Sequence, residues 1–592
     1  MTYDTWQSLP SMFFEIAEQG GDSAFMWNKQ AGRYQPLSWR DSARQVREMA
    51  KGLAALGVIA GDRIVIVAEN RPEWPIADLA IMTLGAISVP AYTTNTLRDH
   101  RHVLSDCGAK GVIVSTRALA ARVLPAAADT AATEFIVSME ATEAGAFDIA
   151  LHKWDAVMAM GAEAAHDLEP GLQKLSRQDV ACLIYTSGTG GNPKGVMLSH
   201  QAILINCHSA CELLRLLGLG DEVFLSFLPL SHAYEHTAGL YFPISIKAQI
   251  YYAESIETLS ANLVEARPTI MVSVPRLYEV MHRRIVIGLK RQSALKQSLF
   301  AKALALGRKE YEKPGSLGIV QGALNRVLER LVRDKVRARF GGRLKAMISG
   351  GAPLNPEVGI FFTALGVCLL QGYGQTEAAP VISCNPPNKV KLHTVGPVLD
   401  RVEVRIAEDG EILARGDMIM DGYWNDETST NKALRDGWLH TGDIGHLDAD
   451  GYILITDRKK DIIVLSGGDN LSPQRVEGTL TLQPEIGQAM VYGDKHAHVV
   501  ALLVPDEEFV SEWRSAKGGG DMAALAGDSD FMKALGEAVE RANADLSPTE
   551  RVKRHILAET AFSVDNEMMT PTLKVRRHKV LEIYRDALEG LY

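Results

Sequence analysis

At 592 residues the chain is longer than one hydrophobic core organises, so two or more domains are expected. Apolar residues at 46% and charged residues at 23% exclude a disordered or fibrous chain. The net charge is −10 and no nucleic-acid motif is recognised, so nucleic acid is not expected as a partner, and no apolar run reaches the roughly 18 residues of a membrane-spanning helix.

The start, MTYDTWQSLPSMFFEIAEQGGD, carries acids early and has no basic region leading into an apolar run, so a secretory signal is not expected. The six cysteines include no CxxC pair, and Cys207 and Cys211 lack His or Cys partners, which reads as reduced core thiols in a cytoplasmic protein. From about residue 36 to residue 150, short apolar strands (63–67, 87–89, 111–115, 135–138) alternate with helices (42–56, 76–84), the rhythm of a parallel sheet.

The apolar run 180–184 then enters residues 185–196, YTSGTGGNPKGV, with four glycines, three aliphatic hydroxyls and a lysine. A buried strand opening into such a loop suits a polyphosphate cradle of backbone N–H groups and hydroxyls, with Lys194 supplying charge. A flexible linker is the plainer alternative, but a linker would not follow a buried strand. The loop is not a Walker A motif, because Pro193 and Gly195 flank the lysine and no hydroxyl follows it; nor do Gly188, Gly190 and Gly191 have the GxGxxG spacing.

Further along, a helix is read over 202–217, a strand over 223–227 and another over 269–273. Residues 282–345 hold seventeen Lys/Arg against four Asp/Glu, a local excess of +13 that leaves the rest of the chain near −23. Within them Leu324, Val327, Leu328, Leu331 and Val332 keep helical spacing beside Arg326, Arg330, Arg333 and Lys335. Two readings stand: peripheral contact with an anionic membrane through 282–345, at the inner face of the cell membrane, or an apolar stripe packed on its own domain; DNA binding is a third that no recognised motif accompanies. After a strand at 346–349 and a glycine turn, the texture changes near 395 to short alternating strands (402–406, 411–414) and a hairpin turn at 448–451. The polar run 457–461 between two apolar strands marks the expected boundary, giving domains 1–457 and 458–592.

Several segments carry further chemistry in this order: LPLSHAYEHT (228–237), SGGAPL (349–354), QGYGQTE (371–377), HTGDIG (440–445), DRKKD (457–461), SGGDNLSP (466–473) and TPTLK (570–574). Taken singly, each has a bland reading: a structural histidine, a structural glycine turn, a capping aspartate, a solvated charge run, a surface basic patch around Lys574. Together with the glycine loop they resemble the signatures of the adenylate-forming superfamily, which includes acyl-CoA synthetases, luciferases and the adenylation domains of peptide synthetases. VPRLYE (274–279), the basic insertion and the run 457–477 look like its long-chain fatty acyl-CoA synthetase group.

The resemblance implies an α/β fold: a large N-terminal domain of layered sheets and helices with a distorted barrel, and a small mobile α+β C-terminal domain. It implies ATP bound by Thr186, Ser187, Gly188, Thr189, Gly190, Gly191, Lys194, Gly351, Ala352, Pro353, Gly372, Tyr373, Gly374, Gln375, Thr376 and Asp443, with Tyr373 stacking on adenine and Asp443 on the ribose hydroxyls. Gly190 stands where the family usually has threonine, so the departing pyrophosphate would be held with one hydroxyl fewer. Glu377 and Ser187 are the implied Mg²⁺ ligands, and Lys574, Glu377 and Arg458 the implied catalytic residues. His232, Tyr234, His236 and Gly350 would face the acyl group, Ser466, Gly467 and Gly468 would meet CoA, and Lys460 would be the hinge. The implied reaction joins a fatty acid to CoA through an acyl-adenylate at the expense of ATP. Alternatives are an acyl-AMP ligase serving a carrier protein, a luciferase-like oxygenase, and a non-catalytic lipid- or nucleotide-binding scaffold. A homodimer and a monomer are both compatible with the sequence.

Overall fold

In the computed structural model, residues 3–186, 192–518, 520–570 and 574–592 are described. Two eight-stranded sheets dominate the large domain. In the first, Arg63–Val67, Ile87–Pro90, Gly111–Val114, Phe135–Ser138 and Val180–Thr186 run parallel, and Lys194–Ser199 returns antiparallel beside Val180–Thr186. Strands of the βα rhythm are apolar throughout because helices cover both faces. In the second sheet Val223–Ser226, Ile270–Ser273, Ala346–Ser349 and Leu369–Gly374 are parallel, and Val381–Cys384 closes the edge antiparallel.

The helix Glu73–Thr83 is buried from Trp74 to Thr83, as expected of a helix apolar on all sides and sandwiched in the core. Trp39–Ala55 is instead amphipathic, and the Ser38 side chain caps it by accepting from the Asp41 N–H. The expected helix at 202–217 is His200–Leu214, finished by a 3₁₀ turn at Arg215–Leu217 and a left-handed Gly218. A hairpin of Ala24–Gln30 and Arg33–Ser38 adds an edge to the second sheet that the sequence pattern did not announce. Its outer strand, RYQPLS, has no alternation and contains Pro36, a residue suited to edges.

A five-stranded antiparallel sheet around Glu411–Arg415, Trp438–Leu447 and Ile453–Arg458 follows. Isolated bridges Ser383–Val398 and Pro397–Tyr452 link it to the second sheet, giving the irregular, barrel-like corner of the large domain. Beyond Arg458 comes a turn, then a ribbon of Ile463–Val464 with Asn470–Leu471, and a three-stranded sheet of Ile486–Tyr492, Val499–Pro505 and Val552–Leu557. The helices Pro473–Leu480, Ser529–Ala544 and Arg577–Glu589 pack on this sheet in two apolar clusters of their own.

The basic segment is a string of helices: Pro275–Lys290, Ala294–Glu312, Ile319–Leu328, a π-helical turn Glu329–Arg333, and Asp334–Arg339. The apolar stripe read from the sequence divides here. Leu328 and Val332 are buried, whereas Leu324, Val327 and Leu331 are exposed. No helix among the described residues is long and apolar enough to cross a membrane.

Candidate active site

The carboxyl ends of parallel strands in an open α/β sheet are where ligand sites form, and the candidate residues gather there. The turn at Gly350–Gly351 follows Ala346–Ser349, the QGYGQTE segment ends Leu369–Gly374, and the antiparallel pair Thr186–Lys194 brackets the glycine loop. Ser187, Gly188, Thr189, Gly190 and Gly191 themselves lie outside the described residues.

The centre is a buried polar cluster. The Tyr373 hydroxyl donates to Asp443 Oδ2 at 2.7 Å, and Arg458 Nε donates to Asp443 Oδ1 at 3.0 Å. Asp443 is thus a carboxylate drawn from the water and held by a phenol and a guanidinium at once. Beside it Glu377 accepts from the Tyr423 hydroxyl at 2.8 Å through Oε1. Oε2 of Glu377 has no described hydrogen-bond partner and is not sealed from solvent.

Lys574 joins this cluster from the small domain. The residue as a whole is exposed, while its ammonium feels the charges of the cluster. Burial and then the Arg458 charge push its ammonium down to about 8, while Asp443, Asp461 and Glu377 pull the other way. His232 feels the same cation: burial, then Lys574, pushes its imidazole down to about 4, so the ring is neutral at physiological pH. Its Nδ1 accepts from the Tyr234 N–H at 3.2 Å.

Next to His232 lies an apolar wall of Leu228, Tyr234 and Val272, with Phe227, Val274 and Ile348 behind it. The Tyr234 hydroxyl donates to the Ile348 carbonyl at 3.1 Å, and its ring lies against Gly350 so closely that a Cβ there would meet Cζ at 2.8 Å. Gly350 therefore sets how near this ring stands to the turn.

Some expected residues are placed differently. His236 does not turn to this wall; it is fully buried, with Nε2 3.1 Å from Asp78 Oδ2, which also accepts from the Tyr241 hydroxyl at 2.5 Å. The π-helical turn Glu235–Tyr241 rotates it towards the central helix, whose buried carboxylate is Asp78. Gly374 was expected to admit a nucleotide, but the protein's own backbone already requires glycine: a Cβ would stand 1.8 Å from the Pro380 carbonyl oxygen. Lys194 does not hang free over the loop. Its ammonium donates to Ser429, lies 3.7 Å from Asp426 and sits over the Tyr423 ring.

Gly351 takes a left-handed conformation, φ +79°, with Ala352 and Pro353 exposed at the rim. Thr376 opens a short 3₁₀ turn, and the Gln375 N–H donates to Pro380. Gly372 pairs with Cys384, and Thr186 ends its strand opposite Lys194. Lys460 occupies an exposed turn in which Asp461 and Ile462 bond back to the Arg458 carbonyl. Ser466, Gly467 and Gly468 form an exposed turn bonded to His496 and Leu465, both in the small domain; these contacts do not bring the turn to the Asp443 cluster.

A family model of the AMP-binding enzyme matches residues 13–424, and one of the AMP-binding enzyme C-terminal domain matches residues 460–592. The chain belongs to the AMP-binding enzyme family. Long-chain-fatty-acid–CoA ligase FadD15 of Mycobacterium tuberculosis is 33% identical over 99% of this chain and 97% of its own length. Long-chain-fatty-acid–CoA ligase 6 of Mus musculus is 29% identical over 100% of this chain and 87% of its own. Among solved structures, the adenylation domain of a carboxylate reductase from Mycobacterium chelonae superposes with a TM-score of 0.77 at 19% identity, covering 99% of this chain and 91% of that one. The A domain of a carboxylic acid reductase from Segniliparus rugosus, in complex with AMP and a co-purified carboxylic acid, has a TM-score of 0.76 at 21% identity, over 99% of this chain and 94% of that one. These two structures share the AMP-binding family fold with this chain.

Tyr423, Asp426 and Ser429 belong to the candidate site but escaped the sequence reading. The only signal was Gly422-Tyr423 after an apolar run, which is weak until its strand is seen to pair with Lys194–Ser199.

Proposed function

We propose that this chain is an AMP-forming ligase that joins a long-chain fatty acid to CoA. The observation that carries the reading is the meeting of Lys574, Arg458, Asp443 and Glu377 in one cleft, beside the apolar wall of Tyr234 and Gly350. The full-length relatives named long-chain-fatty-acid–CoA ligase support it.

In the first step a fatty carboxylate oxygen attacks the α-phosphorus of ATP. The bond to the β-phosphate oxygen breaks, giving acyl-adenylate and pyrophosphate. Two anions must approach, and negative charge builds on the α-phosphate oxygens. Lys574 answers this with a cation bridging the two, and Arg458, held by Asp443, adds a second. Asp443 retains lone pairs to accept from ribose hydroxyls. Neutral His232 next to the acyl wall adds no charge that would trap the carboxylate as a ground-state ion pair.

Mg²⁺ suits the open oxygen of Glu377, a hard donor whose other oxygen is fixed by Tyr423. No group of three or more His, Cys, Asp or Glu side chains among the described residues could surround an ion. Mg²⁺ would be held there by one carboxylate, phosphate oxygens and water, with Ser187, outside the described residues, as the further donor that the family resemblance implies. The ion would neutralise phosphate charge when bound.

In the second step the CoA sulfur attacks the acyl carbonyl carbon, its proton leaves to solvent, and AMP departs with the acyl–oxygen bond electrons. The small domain, residues 458–592, turns about Lys460 for this step and brings the 466–468 turn to the cleft. The nearness of Lys574 to Arg458 and Asp443 supports an adenylating pose, and an arginine latch would hold it. The Arg283 guanidinium, on the large domain's Pro275–Lys290 helix, binds the Asp506 carboxylate and the carbonyls of Thr481 and Ile486; Arg276 binds the Gly487 carbonyl. Arg283→Ala should therefore slow adenylation by roughly three- to tenfold and leave thioester formation from preformed adenylate unimpaired. Lys460→Pro should do the reverse. Single-turnover measurement of each half-reaction decides, and equal losses in both steps from either variant would contradict the rotation.

The pH dependence follows from Lys574. Its protonated form is the useful one, so kcat/KM for ATP should fall as pH rises through about 8. Bound ATP favours the ammonium, so the alkaline limb of kcat should lie higher than that of kcat/KM. Lys574→Arg, charged at all these pH values, should abolish the limb in whatever activity it retains. The function itself is tested by pyrophosphate exchange into ATP without CoA: it should require fatty acid, and exchange that ignores the acid would overturn the reading.

A further inference from the structure

We propose that the outer face of the Ile319–Leu328 helix, continued through Leu331, docks in the plane of an anionic phospholipid surface. Ile319 is 94% exposed, Val320 81%, Val327 52%, Leu331 45% and Leu324 36%. Val320, Leu324, Val327 and Leu331 follow an i, i+4, i+7, i+11 spacing, so they form one ridge rather than scattered side chains. The helix is anchored from its other side. Leu328 and Val332 enter the core, and the Arg333 guanidinium bonds the carbonyls of Ala364 at 2.7 Å and Ala303 at 2.9 Å. The ridge is thus presented by a fixed helix.

The charge beside it says what covers it. Glu329 and Asp334 are the only acids in residues 319–345, and Arg333 and Arg337 engage both. Arg326, Arg330, Lys335 and Arg339 are exposed, and none has an ion pair with a described residue. Apolar side chains with uncompensated cations alongside match a bilayer surface: the ridge enters the acyl boundary while the arginines meet lipid phosphates. A second copy of the same face would set the +13 excess of residues 282–345 against itself. The inference rests on the long-chain reading, because a long-chain acid is dissolved in membranes and an enzyme held there meets it at high local concentration.

The test uses the full chain with vesicles of phosphatidylcholine, alone or mixed with phosphatidylserine, sedimented at low and high salt. Wild type should bind the mixed vesicles and be released by salt. The pair Val320→Asp with Val327→Asp and the pair Arg326→Ser with Arg330→Ser should each weaken that binding at least about tenfold. Both pairs should keep wild-type pyrophosphate exchange with water-soluble octanoate, which shows that they fold. Variants that sediment like wild type would overturn the assignment of this face, and absence of wild-type binding would overturn membrane docking altogether. A change from dimer to monomer on sizing the aspartate pair, with vesicle binding intact, would assign the ridge to a second copy and overturn the proposal. Failure of exchange in wild type with both octanoate and oleate would instead sink the ligase reading, and vesicle binding would still report on the ridge.

Discussion

Lys574→Ala is expected to lower fatty-acid-dependent pyrophosphate exchange by ~10²–10³-fold, the range seen when a preorganised transition-state donor is removed. The physical basis is local. The cleft already contains Arg458, and burial together with that neighbour makes the Lys574 ammonium easier to deprotonate. An anionic substrate beside such a cation offsets the Arg458 repulsion, so its interaction grows as negative charge builds along the reaction. Thioester formation from preformed acyl-adenylate should change far less, because the proposed domain rotation would remove Lys574 before CoA attacks. Comparing the two half-reactions in the same preparation separates this role from general damage: comparable losses in both would make Lys574 structural.

The second large effect is expected at Asp443. Asp443→Ala strips the acceptor from the Tyr373 hydroxyl and the partner from Arg458. A hydrogen bond to a charged group contributes about 1.5–3 kcal/mol, but Arg458 is partly open to solvent and its share is smaller. A rise of roughly 10- to 100-fold in KM for ATP is expected, with a smaller fall in kcat. Asp443→Asn retains one acceptor for Tyr373 and should recover thermal stability without recovering ATP binding. An unchanged KM for ATP in both variants, with only Tm lowered, would remove Asp443 from the nucleotide site.

Much of this site could be read before any coordinates. The QGYGQTE turn and the lysine near the end are contiguous patterns, and each depends on what glycine, hydroxyl or ammonium groups do locally; the glycine loop is such a pattern too, but residues 187–191 lie outside the described residues. The parallel sheets were legible for the same reason, since strands such as 63–67 and 111–114 are apolar on both faces. What escaped depends on distance along the chain. Lys194 is tied to Ser429, 235 positions downstream, and no local pattern links them. Glu377 is oriented by Tyr423, which lies on a two-residue strand too short to show periodicity. The family resemblance of residues 228–237 puts His236 at the acyl wall with Tyr234, yet a π-helical turn carries it to Asp78. The readable hint was Asp78 itself, a lone carboxylate in the otherwise apolar run 74–83. The basic stripe shows the same limit: spacing identified apolar residues, but only the packing separated Leu328 and Val332 from the ridge that faces outward.

The most direct test of the central claim is a single-turnover reaction of the chain with ATP, Mg²⁺, CoA and each of a series of acids from acetate to oleate. The account expects acyl-CoA, AMP and pyrophosphate in equal amounts, with long chains turned over fastest and no AMP release when CoA is withheld. Acyl-adenylate that forms but is never discharged by CoA, or turnover confined to the short acids, would contradict it.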